Sequence, residues 1–155
     1  MSSKATPKQK TEKDAQGFSE AEKSAMKARA QEMKAEAKAS KNRAEGERAL
    51  LEAIAQMVDT DQMLAQRIHE LVTQNAPQLF PKTWYGMPAY ANQDGKVICF
   101  FQAAGKFNVR YATFGFQPDA VLDEGNLWAT SFALLSIGEQ EEAQIRQLVQ
   151  KAIGK

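Results

Sequence analysis

The chain has 155 residues, 43% hydrophobic and 25% charged, with one Cys, one His and a formal net charge of +1. That length and apolar share suit one domain with a real core, while the single Cys excludes an internal disulfide framework and the single His excludes a His-rich metal site. No apolar run approaches the roughly 18–20 residues needed to span a bilayer, and the lysine-rich start (Met1 to Gly17) lacks the apolar stretch of a secretory signal, so a cytoplasmic protein with no membrane partner is expected.

The small net charge conceals a division. Residues 1–48 carry 12 Lys/Arg against 8 Asp/Glu, and residues 49–155 carry 8 against 11. Both Trp, all three Tyr and every Phe except Phe18 lie in the second part. A basic, alanine-rich arm therefore precedes an aromatic domain, with the change near Arg43-Ala44-Glu45-Gly46.

In chain order, residues 1–17 are too polar to offset the entropy of ordering and read as a disordered tail. Residues 18–44 read as a helical extension. Ser19 with Glu22 forms a capping-box pattern, in which each side chain satisfies an orphan N–H at the helix start. The helix formers that follow extend to about Ala39, with a thin ridge of Met26, Ala30, Met33 and Ala37. Such a ridge lies on a partner or on the body of the protein, or else the helix is mostly solvated and held by Glu/Lys pairs.

The domain proper is expected over residues 47–153. A helix from Glu47 to Val58 presents Leu50, Leu51, Ile54 and Val58, and Asp59-Thr60-Asp61 offers an N-cap for another helix, Gln62 to Gln74. His69 sits beside the Leu64, Ile68, Leu71, Val72 stripe of that helix, and Pro77 ends it because the residue before proline avoids the α region. Lys82 to Ala91 reads as one strand, at an edge or bulged because of Pro88. Asn92 to Gly95 is a hairpin turn, and Lys96 to Gln102 a central strand. The alternation of Phe107, Val109 and Tyr111 with Lys106, Asn108 and Arg110 predicts a strand over Lys106 to Phe114. A short helix over Pro118 to Leu122, a strand over Trp128 to Leu135, and a last helix ending near Ile153 complete the chain. Helices, then a strand meander, then a helix predict an α+β fold, an antiparallel four- to five-stranded sheet with helices packed on one face and a long N-terminal helix beside it.

The run Ala76-Pro77, then Lys82-Thr83-Trp84-Tyr85-Gly86-Met87-Pro88-Ala89-Tyr90, then Gly95-Lys96-Val97-Ile98-Cys99-Phe100-Phe101 and Lys106-Phe107 resembles the YdhG-like family of bacterial domains. The resemblance covers residues 47–153, and the helix carrying Phe18-Ser19 and Ala25-Met26-Lys27 resembles an extension found on one branch of that family. The family is grouped by name with frataxin-like iron chaperones, so the resemblance implies iron as a cargo and iron–sulfur assembly proteins as partners. Hard oxygen ligands suit weakly held, transferable iron. The carboxylates that such a role would draw on are Asp119, Asp123 and Glu124, and Glu139, Glu141 and Glu142. Carboxylates near turns and helix starts also serve as caps and solvated charge.

Catalytic chemistry has little to work with. No nucleophile elbow, phosphate-binding loop or His–Cys pairing is present. His69 reads as a partly buried structural residue, and Cys99, within Val-Ile-Cys-Phe-Phe, as an inert small hydrophobe. The aromatic strands offer more. Trp84, Tyr85, Met87 and Tyr90, with Lys106 and Arg110 on a neighbouring strand, either line a ligand pocket or fill the core with their hydroxyls satisfied at its rim. Acidic residues interrupt the basic arm and no stacking residue but Phe18 accompanies it, which disfavours nucleic acid as a partner. The expected function is a non-catalytic binding or delivery module, frataxin-like iron handling being its most concrete form. The alternative is an interaction protein that docks a partner through its N-terminal helix.

Overall fold

The computed structural model describes residues 18–39 and 43–155, so the tail expected at residues 1–17 lies outside the described residues. Helices α1 (Glu20–Ala39), α2 (Arg43–Ala55) and α3 (Asp59–Asn75) come first. Strands β1 (Phe80–Trp84), β2 (Met87–Ala91) and β3 (Val97–Gln102), a helical turn α4 (Ala104–Phe107), strands β4 (Ala112–Phe116) and β5 (Ser131–Leu134), and helix α5 (Glu139–Ala152) follow. The strands form one antiparallel sheet in the order β1-β2-β3-β4-β5, the α+β meander that the order of elements predicts. Among the described residues no helix is long and apolar enough to cross a membrane.

One face of the sheet carries the core. The register sets Tyr90 beside Cys99 and Cys99 beside Phe116, and sets Phe101 beside Phe114. All five are buried, against Ile68, Leu71 and Val72 of α3 and Ile145 and Val149 of α5. Each fully buried side chain of this size contributes about 1.5–3 kcal/mol through removal from water, so this layer dominates the stability of the fold. Leu50 and Ile54 bring α2 into the same layer, as their spacing predicts, whereas Leu51 and Val58 are 45% and 61% exposed.

The segment expected to be one strand over Lys82 to Ala91 is a two-residue hairpin. Tyr85 (φ 53°) and Gly86 (φ 76°) both adopt left-handed backbone, the geometry that lets a tight turn match the twist of its strands. Pro88 thus falls on β2, an internal strand, with a register irregularity at Tyr90/Ala91. The β2–β3 register begins at Ala89, so the missing N–H of Pro88 lies outside that ladder. The Asn92–Gly95 turn forms as expected, with Asn92 Oδ1 accepting from the N–H groups of Asp94 and Lys96 at 3.0 Å each.

The strand expected over Lys106 to Phe114 begins only at Ala112. Ahead of it Ala104–Phe107 forms α4, ended by Asn108 in left-handed backbone (φ 54°). The cause lies far away in sequence: Asp61 Oδ1 and Oδ2 accept the N–H groups of Ala104 (3.2 Å) and Gly105 (2.8 Å), satisfying the first amides of a helical turn. Asp61 is thereby taken from the capping role expected of it, and α3 starts after Val58 with no side-chain cap. Pro118 to Leu122 forms a turn rather than a helix, and β5 is shorter than the strand expected over Trp128 to Leu135.

Helix α1 opens with the predicted capping box, Glu22 N–H donating to Ser19 Oγ (3.0 Å) and Ser19 N–H to Glu22 Oε1 (3.3 Å). It buries Ala25, whereas Met26 and Met33 of the expected ridge are 49% and 61% exposed, and the side chain of Ala37 lies outside the described residues.

Candidate functional site

Helix α1 is held to the domain by a carboxylate. Glu32 Oε1 accepts the Tyr85 N–H and Glu32 Oε2 the Gly86 N–H, both at 2.8 Å. Successive N–H groups of a left-handed turn point the same way and form a small anion-binding concavity, and Glu32 fills it from α1. Arg29, one helical turn earlier, lies 5.6 Å from the centre of the Tyr85 ring. From the other side Lys106 Nζ donates to Gly86 O at 3.1 Å. Partial burial pushes the Lys106 ammonium below its ordinary pKa, while the nearby Glu32 carboxylate acts in the opposite direction.

These contacts leave a cleft of about 750 Å³ between α1, α2, the start of α3, the β1–β2 turn and α4. Ala28, Ala49, Ala53 and Val58 give it small apolar walls, and Lys82, Lys106, Glu45 and Glu52 supply charge around them. Glu32 and Asp61 also border it, each committed to a pair of backbone amides. Gly46, on the α2 wall, is where that helix meets β1: a Cβ there would stand 2.2 Å from Pro81 O.

The six residues expected to form a pocket divide. Tyr85 and Met87 line a shallow hollow of about 310 Å³ with Phe18, Ala25 and Phe107, and Lys106 lines the larger cleft behind the turn. Trp84 packs on Tyr85 (5.0 Å between ring centres) and Phe100 (5.3 Å), on the sheet face opposite the core. Tyr90 does not join them. The hairpin reverses the chain between Trp84 and Tyr90, and Tyr90 points into the core with 1% of its surface exposed. Arg110 lies in the exposed segment before β4, its guanidinium 5.1 Å from the Tyr111 ring centre.

The Tyr90 hydroxyl meets His69 Nδ1 at 2.9 Å, and His69 Nε2 meets Glu47 Oε2 at 2.9 Å, so α2, α3 and β2 are joined through one imidazole. His69 is thus the partly buried structural residue that its place on the helix suggests. Glu47 and Tyr90, its two partners, lie 22 and 21 residues away in sequence and carry no local signal. Burial, with Cys99 and Glu47 nearby, raises the Tyr90 pKa, and burial raises that of Cys99.

Of the six carboxylates that the iron expectation draws on, three have side-chain partners. Glu141 Oε1 accepts the Gly138 N–H at 2.7 Å, Glu142 pairs with Arg67, and Glu124 meets Lys151 Nζ at 3.2 Å. Among the described residues no group of three or more His, Cys, Asp or Glu side chains is placed to hold a metal ion.

Glu32, Asp61 and Ala53 are among the many residues of the cleft that the sequence does not single out as a site. Each is a common residue type on a helix, and only the approach of distant segments gives it a role. In comparisons with known proteins, no family model, curated protein or solved structure matches this chain.

Proposed function

We propose that this chain is a non-catalytic small-molecule binding module, and that its ligand lies in the cleft between α1 and the domain with an acidic group against Lys106. The cleft carries this reading: about 750 Å³ falls within the range of small-molecule sites. Its walls include small apolar side chains that suit the body of a ligand, and Glu32 and Lys106 meet at the β1–β2 turn. Lys106 supports the choice of an acid. An ammonium group whose charged form is disfavoured by burial gains from an incoming anion. The role of α1 follows from the same geometry, because Glu32 holds that helix as a wall of the cleft.

The test is a thermal-shift screen of the full chain against small carboxylic and phosphoric acids. Binding acids raise the melting temperature of the unsubstituted chain. Ala53→Trp, which fills the cleft, removes the shift, and Lys106→Ala weakens binding by about tenfold, the loss of one charge-assisted contact. A shift that survives Ala53→Trp places the ligand elsewhere and contradicts the reading.

The alternative, docking of a partner through α1, draws on the exposure of Met26, at the rim of the hollow that Tyr85 and Met87 line, and of Met33. Met26→Glu with Met33→Glu separates the two readings, since it abolishes docking on that ridge and leaves acid binding in the cleft unchanged.

A further inference from the structure

The two edges of the sheet are treated differently. At β1 the edge carries Pro81 and Lys82, and α2 packs closely against it at Gly46. Proline, lysine and a covering helix are the usual guards against pairing with another chain. Strand β5 has none of these. From Gly125 to Gly138 there is no charged residue at all, in a chain that is 25% charged. Around the edge, Leu135 is 72% exposed and Leu127 91%.

Phe116 N–H donates to Thr130 O at 2.8 Å, and the register continues with Phe114 opposite Phe132 and Ala112 opposite Leu134. Antiparallel alternation then turns the N–H and C=O of Ser131 and Ala133 outward, to the free side of β5. Beside this edge lies a groove of about 430 Å³ between β5 and α5, lined by Phe132, Leu134, Ile145 and Leu148 and by a stripe of α5.

The stripe identifies the occupant. Glu141, Gln144, Leu148 and Lys151, spaced three, four and three apart, share the groove side of α5, with an acid at one end and a base at the other. A two-fold axis reverses the helix and brings Glu141 opposite Lys151 at both ends. That is the self-complementarity an isologous interface requires. Glu141 uses Oε1 for Gly138 and keeps its second oxygen, and Lys151 is 43% exposed beside Glu124. We propose that two copies of this chain pair through β5, antiparallel about a two-fold axis, forming one ten-stranded sheet. Ser131 and Ala133 exchange backbone hydrogen bonds across the axis, and Glu141 meets Lys151 of the second copy.

Sedimentation of the full chain over a concentration series tests this. The unsubstituted chain sediments as a dimer at high concentration. Ala133→Pro removes only an N–H that the β4 ladder does not use, once in each copy. It raises the dimer dissociation constant by about a hundredfold, roughly tenfold for each backbone hydrogen bond lost. Lys151→Glu sets like charges together and weakens the dimer, and the double variant Glu141→Lys with Lys151→Glu restores it. A monomer at every concentration, or a dimer indifferent to Ala133→Pro, overturns the proposal. If Ala133→Pro does not fold by circular dichroism, the charge exchange decides alone, and failure of the double variant to recover association overturns it.

Discussion

Asp61 is 4% exposed, and among the described residues no group of three or more His, Cys, Asp or Glu side chains is placed to hold a metal ion. Its two oxygens satisfy two backbone amides that would otherwise begin α4 without partners. Asp61→Ala leaves both unpaired and is expected to cost about 3 kcal/mol in urea unfolding, since hydrogen bonds to a charged group are the stronger class. A loss within the error of the unsubstituted protein contradicts that role. At the same scale, Cys99 and Tyr90 bind their protons more tightly folded than unfolded. Their contribution is fully present below the unfolded values, 9.0 and 10.0, and is lost as pH rises above them. The contribution of these two groups therefore falls by about 1.4 kcal/mol per pH unit above the first value and twice as steeply above the second. Cys99→Ala lowers stability overall but removes the loss between these values, which denaturant titrations at successive pH will read.

Among the elements, α1, α3, the Asn92 turn and α5 are legible in the sequence because their signals are local: a capping box, a helix-period stripe, an Asn that bonds its own turn. The β1–β2 turn was hidden by Tyr85, which occupies a left-handed position where Asn or Gly is the usual mark. The alternation from Lys106 to Tyr111 suits a strand, but Asp61, 44 residues from Gly105, caps the backbone into a helical turn. Local pattern loses there to a tertiary hydrogen bond. The hairpin separates Tyr90 from Tyr85, and the helical turn puts Lys106 beside Gly86, so of the six expected residues Lys106 alone lines the larger cleft, whose other walls come from α1 and α2. Helix α2 gives an element-scale test. Gly46→Ala improves helix propensity by about 1 kcal/mol, but its Cβ would stand 2.2 Å from a strand carbonyl. The clash outweighs the propensity, and a net destabilisation of about 1–2 kcal/mol is expected on urea unfolding. An increase in stability would show that α2 does not lie so close to β1.

For the whole molecule, the arm and the domain that differ so much in composition meet around one cleft. The basic helix supplies Glu32, an acidic residue, to the amides of the Tyr85–Gly86 turn, and so encloses it. Elsewhere Glu141 caps the start of α5, and Glu142 and Glu124 pair with Arg67 and Lys151. The fold thus leaves a cleft beside α1 and, at the other edge of the meander, strand β5 with one side unpaired within the chain.

The most direct test is an amide chemical-shift map of isotope-labelled full chain, titrated with the acid that gives the largest thermal shift. The account predicts perturbations concentrated at Ala53, Tyr85, Gly86 and Lys106, absent in Ala53→Trp. Perturbations confined to β5 and α5, or unchanged by that substitution, would contradict it.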